Sequence, residues 1–274
     1  MAEFSGHLSL RAESRVDGRT VLAAQSFRAP YHLSKPYWDE DARALLVQVV
    51  NPTAGILSGD RLESEISVSA GAALLVTAPS ASRIFKMTEG AAECRQRFVV
   101  AKDGWLEVMP EPLVPHRGSR YRQVTQIAVA PGGGLFFADV LMPGRVGHGE
   151  AWEWEQLSLE LEVRYGDRLV FRERLQQSGP ELRALAELGG TGLGACFGNA
   201  VLMGEETAGD ESWQKALVAL HGNGLWLGLS RLTMGGWSLK LVAADGVRLR
   251  EGLREVRRIL AMRFPRLACD PRKL

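Results

Sequence analysis

Strict alternation of apolar and polar residues is the feature that most constrains how this chain folds. From 157 to 163 the sequence reads Leu-Ser-Leu-Glu-Leu-Glu-Val, as expected of a strand with one buried and one solvated face. Similar runs occur at 65–70, 105–109, 126–129 and 237–241. The run 45–50 is almost continuously apolar and predicts a strand covered on both faces. Turn signals containing Gly or Pro separate such runs, so we expect a mainly β protein: a sandwich, a barrel or a stacked-sheet solenoid.

Other stretches change to the 3.6-residue period of an amphipathic helix. One predicted helix lies near 210–221, where Asp210 is placed to cap it and where Trp213, Ala216, Leu217 and Leu220 form one stripe. A second lies near 247–263, with a stripe of Leu249, Leu253, Val256 and Leu260. Its other faces carry Arg250, Arg254, Arg257 and Arg258. We interpret these arginines as solvated surface, with contact to an acidic partner as the alternative. A weaker candidate spans 180–188.

Charge and cysteine content exclude several classes of function. The chain has 33 basic and 32 acidic side chains, a formal net charge of +1, which argues against binding nucleic acid or an acidic membrane through bulk charge. Its cysteines, Cys94, Cys196 and Cys269, are widely spaced and predict neither a disulfide framework nor a structural zinc site. The first residues resemble no secretory leader, and no run of eighteen apolar residues occurs. We therefore expect a cytoplasmic protein.

Motifs of the commonest nucleotide-binding and hydrolytic sites are missing from the sequence. A P-loop requires a Gly-Lys pair, and the chain has none. Neither G-x-S-x-G nor H-E-x-x-H occurs. The glycine-rich run 189–198 does not fit the dinucleotide fingerprint. An S-x-x-K match at 212–215 lies within a predicted amphipathic helix and lacks its companion motifs.

Polar islands between the strands carry the candidate functional residues. The segment 138–150 contains Asp139, Arg145, His148 and Glu150 among several glycines, and oxygen with imidazole ligands suits divalent ions such as nickel. The alternative, which the residues alone favour, is that Arg145 and Glu150 pair to hold a tight loop and leave His148 in solvent.

Two further islands each place one carboxylate in a rigid turn. Asp60 follows the glycine turn at 55–59, and Glu111 stands between Pro110 and Pro112. A carboxylate in such a turn commonly caps the turn itself or protects a strand edge. The three islands could instead converge in space, and the spacing alone leaves both possibilities open.

Taken in order, these segments resemble the urease accessory protein family UreD, also called UreH. The resemblance is carried by the turn at 51–62, the segments 71–77 and 109–112, Asp139, the pairs Gly144-Arg145 and Gly149-Glu150, and 228–232 before the arginine-rich terminal helix. It extends from about residue 32 to about residue 264 and implies one UreD-like domain over 1–274.

The resemblance implies a β-helix-like stack of sheets with two or three α-helices. It also implies a non-catalytic scaffold that binds apo-urease and a UreF-like protein, with a UreG-like GTPase docked through UreF, and that assists nickel delivery. Nickel is then cargo in transit and no cofactor is tightly bound. The implied nickel path consists of Asp60, Glu111, Asp139, His148 and Glu150, supported by Gly144, Arg145 and Gly149. Spread carboxylates suit such a path, because an ion held by four strong ligands would not leave.

Two other functions are compatible with the residues. One is a metal-dependent hydrolase that uses Asp139, His148 and Glu150. The other is a β-rich binding module that uses no metal. A partner-binding surface would be apolar, and Trp38, Trp152 and Trp213 are candidates for it, although each is also a plausible core residue.

Overall fold

A computed structural model of the chain describes residues 5–188, 192–204 and 212–271. Within these ranges the strands, in chain order, are β1 (Ser5–Ser14), β2 (Thr20–Arg28), β3 (His32–Leu33), β4 (Tyr37–Asp39), β5 (Ala44–Val50), β6 (Arg61–Val68), β7 (Ala73–Thr77), β8 (Ser82–Ile84), β9 (Ala92–Val100), β10 (Trp105–Met109), β11 (Leu113–Pro115), β12 (Arg120–Val129), β13 (Gly134–Leu141), β14 (Gly144–Arg145), β15 (Glu150–Ala151), β16 (Gln156–Tyr165), β17 (Arg168–Gln177), β18 (Cys196–Met203), β19 (Leu225–Arg231) and β20 (Trp237–Ala243). The same ranges contain the helices α1 (Gly179–Leu188), α2 (Ser212–Val218) and α3 (Gly246–Ala261), with 3₁₀ turns at Val146–His148 and Pro265–Ala268.

The strands form two large facing sheets. The first sheet has the order β17-β16-β12-β9-β6-β1-β2, and the second has the main path β19-β20-β18-β13-β10-β7-β5-β3. Between β5 and β16 the chain passes repeatedly from one sheet to the other, and successive strands within each sheet pair in parallel, as β6, β9, β12 and β16 do. This is a β-solenoid of about 4 turns, so the fold implied by the resemblance is confirmed.

Alternation in the sequence produces the interior of this solenoid. β16 turns Leu157, Leu161 and Val163 inward, where they are buried. β5 is covered on both faces as predicted, because Val47 packs between the sheets and Leu46 packs on the outer side of the second sheet. The apolar cluster between the sheets is therefore the central core, and a second cluster covers the outside of the second sheet.

Helix α3 covers that outer side and matches the helix predicted near 247–263. Asp245 caps it by accepting a hydrogen bond from the Arg248 amide at 2.8 Å, and the predicted apolar stripe is buried. α1 matches the prediction at 180–188. α2 ends at Val218 rather than near 221, because the Leu220 and His221 amides donate to carbonyls three residues back. The predicted cap Asp210 lies outside the described residues.

One arginine of α3 contradicts the predicted solvated face. Arg257 is buried, and its guanidinium contacts the carboxylate of Glu107 on β10 through two bonds of 2.6 and 3.1 Å. It also donates to the backbone carbonyl of Cys269. Because Glu107 points outward from the second sheet beneath the helix, its negative charge requires a partner there. The ion pair joins the terminal helix to the solenoid.

The tryptophans proposed for a partner surface are mostly buried. Trp152 and Trp213 are each 2% exposed and Trp38 is partly buried, so Trp152 and Trp213 belong to the core. The Trp152 indole donates to the Leu193 carbonyl at 2.8 Å, which provides the polar partner that a buried indole requires. In the described parts of the chain, no helix is long and apolar enough to cross a membrane.

Candidate functional site

A row of polar residues interrupts the apolar interior of the first sheet. Ser64, Gln96 and Thr125 lie in register on β6, β9 and β12, at inward positions of strands whose other inward residues are mostly apolar. The Thr125 hydroxyl donates to Gln96 Oε1 at 2.8 Å. Because parallel strands repeat one position on each turn, these side chains stack along the solenoid axis.

A second row faces the first row from the opposite sheet. Asp139, Asn199 and Lys240 lie in register on β13, β18 and β20. Asp139 is inward because it alternates with the buried core residues Leu135 and Phe137 of the same strand. We call these three residues, together with Ser64, Gln96, Thr125 and Glu173, the polar layer.

Glu173 closes the polar layer at the β17 edge of the first sheet. Its carboxylate forms an ion pair with the Lys240 ammonium across the space between the sheets. The ammonium also lies 5.6 Å from the ring centroid of Phe171, two residues earlier on β17, within the range of a cation–π contact. At this edge of the interior, one partly exposed cationic side chain therefore bridges the two sheets.

Two adjoining cavities lie along the polar layer. The central cavity has a volume of about 210 Å³ and is lined by residues that include Ser64, Gln96 and Glu111. The end cavity has about 130 Å³ and is lined by residues that include Thr125, Asn199, Glu173 and Lys240. Gln123, Asp139, Leu141 and Leu159 line both cavities. Asp139 therefore stands at the junction, inside the protein and still accessible from the cavities.

Burial changes the acidity of Asp139. Loss of solvation raises the pKa of this carboxyl from 3.8 to about 7, because a low-dielectric surrounding disfavours the charged form. The negative charge of Glu173 raises the pKa further, and the positive charge of Lys240 opposes the rise. The carboxyl can therefore be charged or neutral near physiological pH, as is common at functional sites.

Thiols do not supply a strong metal ligand to this interior. Cys94 lines the central cavity, but burial raises its pKa to about 11, which leaves the sulfur protonated at neutral pH, and a metal binds the thiolate. All three cysteines are free and buried. Oxygen atoms are the ligands that remain.

Glu111 lies at the boundary between the central cavity and a cleft outside the second sheet. This α3 cleft has a volume of about 630 Å³ and shares Pro110, Glu111 and Val140 with the central cavity. The Glu111 side chain is 12% exposed, and its Oε2 lies 3.6 Å from an Arg250 guanidinium nitrogen. Glu111 and Asp139 both line the central cavity and are therefore the two sequence candidates that the fold brings together.

Asp60 holds its own turn. Its Oδ2 accepts a hydrogen bond from the Leu57 amide at 2.8 Å, and the residue is 5% exposed. Burial raises the pKa of this carboxyl, and the Leu57 hydrogen bond opposes the rise. Asp60 does not appear among the residues that line either cavity, and its contacts are those of a carboxylate that caps a turn.

Arg145, His148 and Glu150 form a small surface hairpin. Arg145 Nε and Nη2 contact the two Glu150 carboxylate oxygens at 2.9 and 2.6 Å, so the predicted pair is confirmed, and His148 is exposed. This guanidinium lowers the pKa of the Glu150 carboxyl. Gly149 adopts φ 71° at the hairpin end, and Gly144 adopts φ 120° against the Glu150 carbonyl. At both positions a residue with a side chain would strain the backbone.

We expect Glu150→Ala to remain soluble and folded, with a melting temperature within about 2 °C of the parent, because an ion pair at the surface that is only partly buried adds little stability. Differential scanning calorimetry measures this, with Glu255→Ala, which removes the exposed pair with Arg258, as the matched control. Loss of soluble protein would show instead that the hairpin supports the fold.

Asp139, His148 and Glu150 do not assemble into a hydrolase centre. Asp139 lies in the cavities, whereas His148 and Glu150 lie on the hairpin, and the described residues contain no group of three His, Cys, Asp or Glu side chains that could hold a metal ion.

Comparison with known protein families gives one match over nearly the whole chain. The sequence model of the family described as "UreD urease accessory protein" matches residues 5–273.

The chain belongs to the UreD urease accessory protein family. A UreD of Opitutus terrae is 62% identical over 272 residues, covering 99% of this chain and 100% of the relative. A UreD of Yersinia pseudotuberculosis is 34% identical over 204 residues, covering 73% and 63%, and one of Yersinia enterocolitica is 40% identical over 146 residues, covering 53% and 45%. As a UreD protein the chain takes part in urease maturation as an accessory protein, not as an enzyme.

Of the residues in the polar layer of this UreD protein, only Asp139 is a candidate from the sequence. Asn199 and Lys240 each stand alone among non-polar neighbours, Glu173 stands between two arginines, and none of the three fits a motif. The signal that could have found them is a polar residue at an inward position of several successive strands. Recognising that signal requires the register of the strands, which is known only from the structure.

Proposed function

We propose that this chain assists urease maturation by passing nickel through the interior of its solenoid. The observation that carries the proposal is the polar layer along two adjoining cavities, with Asp139 lining both of them. From β6 to β17 the layer crosses four inter-strand steps of about 4.8 Å, a path of about 19 Å. We call this path the passage.

The ligands of the passage suit an ion in transit. Carboxylate, amide and hydroxyl oxygens offer weak, successive contacts, whereas a closed set of four strong ligands would retain nickel. Asp139 supplies a full charge at the junction of the cavities, and Glu111 supplies another at the boundary with the α3 cleft. Nickel is therefore cargo of the protein and not a resident cofactor.

The partners of the proposed transfer are apo-urease and a UreF-like protein, with a UreG-like GTPase docked through UreF. The chain itself lacks a P-loop, so nucleotide hydrolysis has to come from another protein. We place the transfer in the cytoplasm. The α3 cleft is a candidate entrance, since it adjoins the central cavity at Glu111.

A urease operon that lacks its own UreD gene, co-expressed with this chain, tests the proposal. We expect the parent to restore urease activity and Leu159→Trp to reduce the restored activity at least about tenfold, because the larger side chain fills the junction of the two cavities. Added volume in a packed interior costs about 1–3 kcal/mol, so urea denaturation has to show that the variant is folded under assay conditions.

Gln126→Trp is the matched control, since Gln126 is exposed on the outer side of β12. It introduces the same side chain outside the passage and is expected to activate as the parent does. Full activation by a folded Leu159→Trp protein would show that nickel does not cross this junction. Failure of the parent to restore activity would count against the whole proposal.

A further inference from the structure

The end cavity contains oxygen atoms whose hydrogen-bonding capacity is unused. Asn199 is only 9% exposed, and its Oδ1 has no hydrogen-bond partner among the described residues. Glu173 Oε2 is also buried without a partner there. Asn199, Glu173 and Asp139 all line the same cavity of about 130 Å³. Buried polar oxygens are nearly always satisfied, so these atoms point to a ligand that donates or is positively charged.

Lys240 is the positive charge already present in this cavity. Its ammonium pairs with the Glu173 carboxylate, and it stands in register beside Asn199, which in turn stands beside Asp139. With both carboxylates ionised, one lysine leaves the cavity with a single net negative charge. A divalent ion that enters while the ammonium stays makes the net charge positive, and an ion that replaces the ammonium makes it zero.

The Lys240 side chain has room to change its position at the edge of the cavity. It is 47% exposed. The ammonium group sits at the end of a flexible four-carbon chain and can form hydrogen bonds in many orientations. The Phe171 ring, with its centroid 5.6 Å from the ammonium, offers a face on which the charge can rest. Besides the Glu173 carboxylate, an aromatic face and solvent are therefore within reach of the Lys240 charge.

We infer that Lys240 is a displaceable cation that pairs with Glu173 beside the oxygen site of Asp139, Asn199 and Glu173 until a divalent cation binds there and replaces it. The inference rests on the proposed passage and adds a mechanism for release. The returning ammonium competes with the bound ion and keeps its affinity low. Lys240 thereby acts as a positioning residue for transfer.

Nickel titration of the full-length chain by calorimetry tests this inference. We expect Lys240→Met to bind Ni²⁺ at least about tenfold more tightly than the parent, because removal of one nearby positive charge strongly favours a divalent ion. In the co-expression assay we expect the same variant to activate urease less than the parent, since the ion is held. Tighter binding together with weaker activation is not expected of a lysine that only supports the fold.

Two matched variants separate charge from packing. Lys240→Arg keeps the charge and is expected to bind Ni²⁺ within about threefold of the parent, and the exposed Lys102→Met is expected to change nothing. If Lys240→Met proves insoluble, Lys240→Gln replaces it with the same expectation. Unchanged or weaker Ni²⁺ binding after removal of the charge, or no binding by any variant, overturns the inference. The passage itself is judged separately, by whether Leu159→Trp blocks activation.

Discussion

Replacing Asp139 with asparagine is expected to make the protein more stable above neutral pH and to abolish its ability to activate urease. The two effects have one cause, the burial of a carboxyl group at the junction of the cavities. Burial raises its pKa from 3.8 to about 7, so the folded protein keeps the proton over a range in which the unfolded chain has released it.

The sign of the pH dependence follows from that difference. Between about pH 4 and pH 7 the folded state binds more protons than the unfolded state, so the contribution of Asp139 to stability falls as the pH rises through this window. Above pH 7 both states are ionised, and the folded protein carries a buried charge that costs up to about 4 kcal/mol. Asparagine has nearly the same shape and no charge, so the cost disappears.

Urea denaturation at pH 4.5 and pH 8, with urease activation in parallel, measures both effects. We expect Asp139→Asn to gain about 2–4 kcal/mol over the parent at pH 8 and much less at pH 4.5. Asp167→Asn, an exposed turn residue, is the matched control and should change neither property. A variant that is stabilised and still fully active would remove Asp139 from the passage. A destabilised variant would show that the charged carboxylate holds the fold.

Replacing Glu107 with alanine is expected to cause the largest loss of stability. Glu107 is 1% exposed and bonds to Arg257 through both carboxylate oxygens. Without the Glu107 carboxylate, the Arg257 guanidinium stays buried and keeps, of these partners, the Cys269 carbonyl. Breaking such a buried pair typically costs about 3–5 kcal/mol.

Urea denaturation of Glu107→Ala measures this loss, and Glu255→Ala, which breaks an exposed pair with Arg258, serves as the comparison. The double variant Glu107→Met with Arg257→Met should recover most of the lost stability, because two apolar side chains replace two buried charges. If the single variant loses no more than Glu255→Ala does, the buried pair does not hold the terminal helix to the solenoid.

The sequence predicted the elements of the fold well, because each element leaves a local pattern. β16 follows from alternation, and α3 follows from an apolar stripe that ends before a proline. Alternation also predicts the strand β10 but not that all five of its residues are buried, because α3 covers its outer face. Arg257 was assigned to the wrong face because its buried partner lies 150 residues away on β10. A helical wheel contains no information about such a contact.

The candidate site was predicted only in part, for a related reason. Asp60, Glu111 and Asp139 look alike in sequence, each being a carboxylate beside a turn or strand end. The structure separates them, since the Asp60 carboxylate bonds to its own turn whereas Glu111 and Asp139 line the cavities. The separation depends on which way a side chain points and on what the opposite sheet places there, and no local pattern encodes either.

The solenoid also sets the length of the proposed nickel passage through its number of turns. Each turn of the chain adds one strand to the first sheet and therefore about 4.8 Å to the axis. A relative with one more turn would have a longer passage, and a protein with one turn fewer would have a shorter one. The other turns would keep their structure, because each turn contacts only its neighbours. If the proposed passage carries nickel, the number of turns thus sets the distance between the site where the metal enters and the site where it leaves.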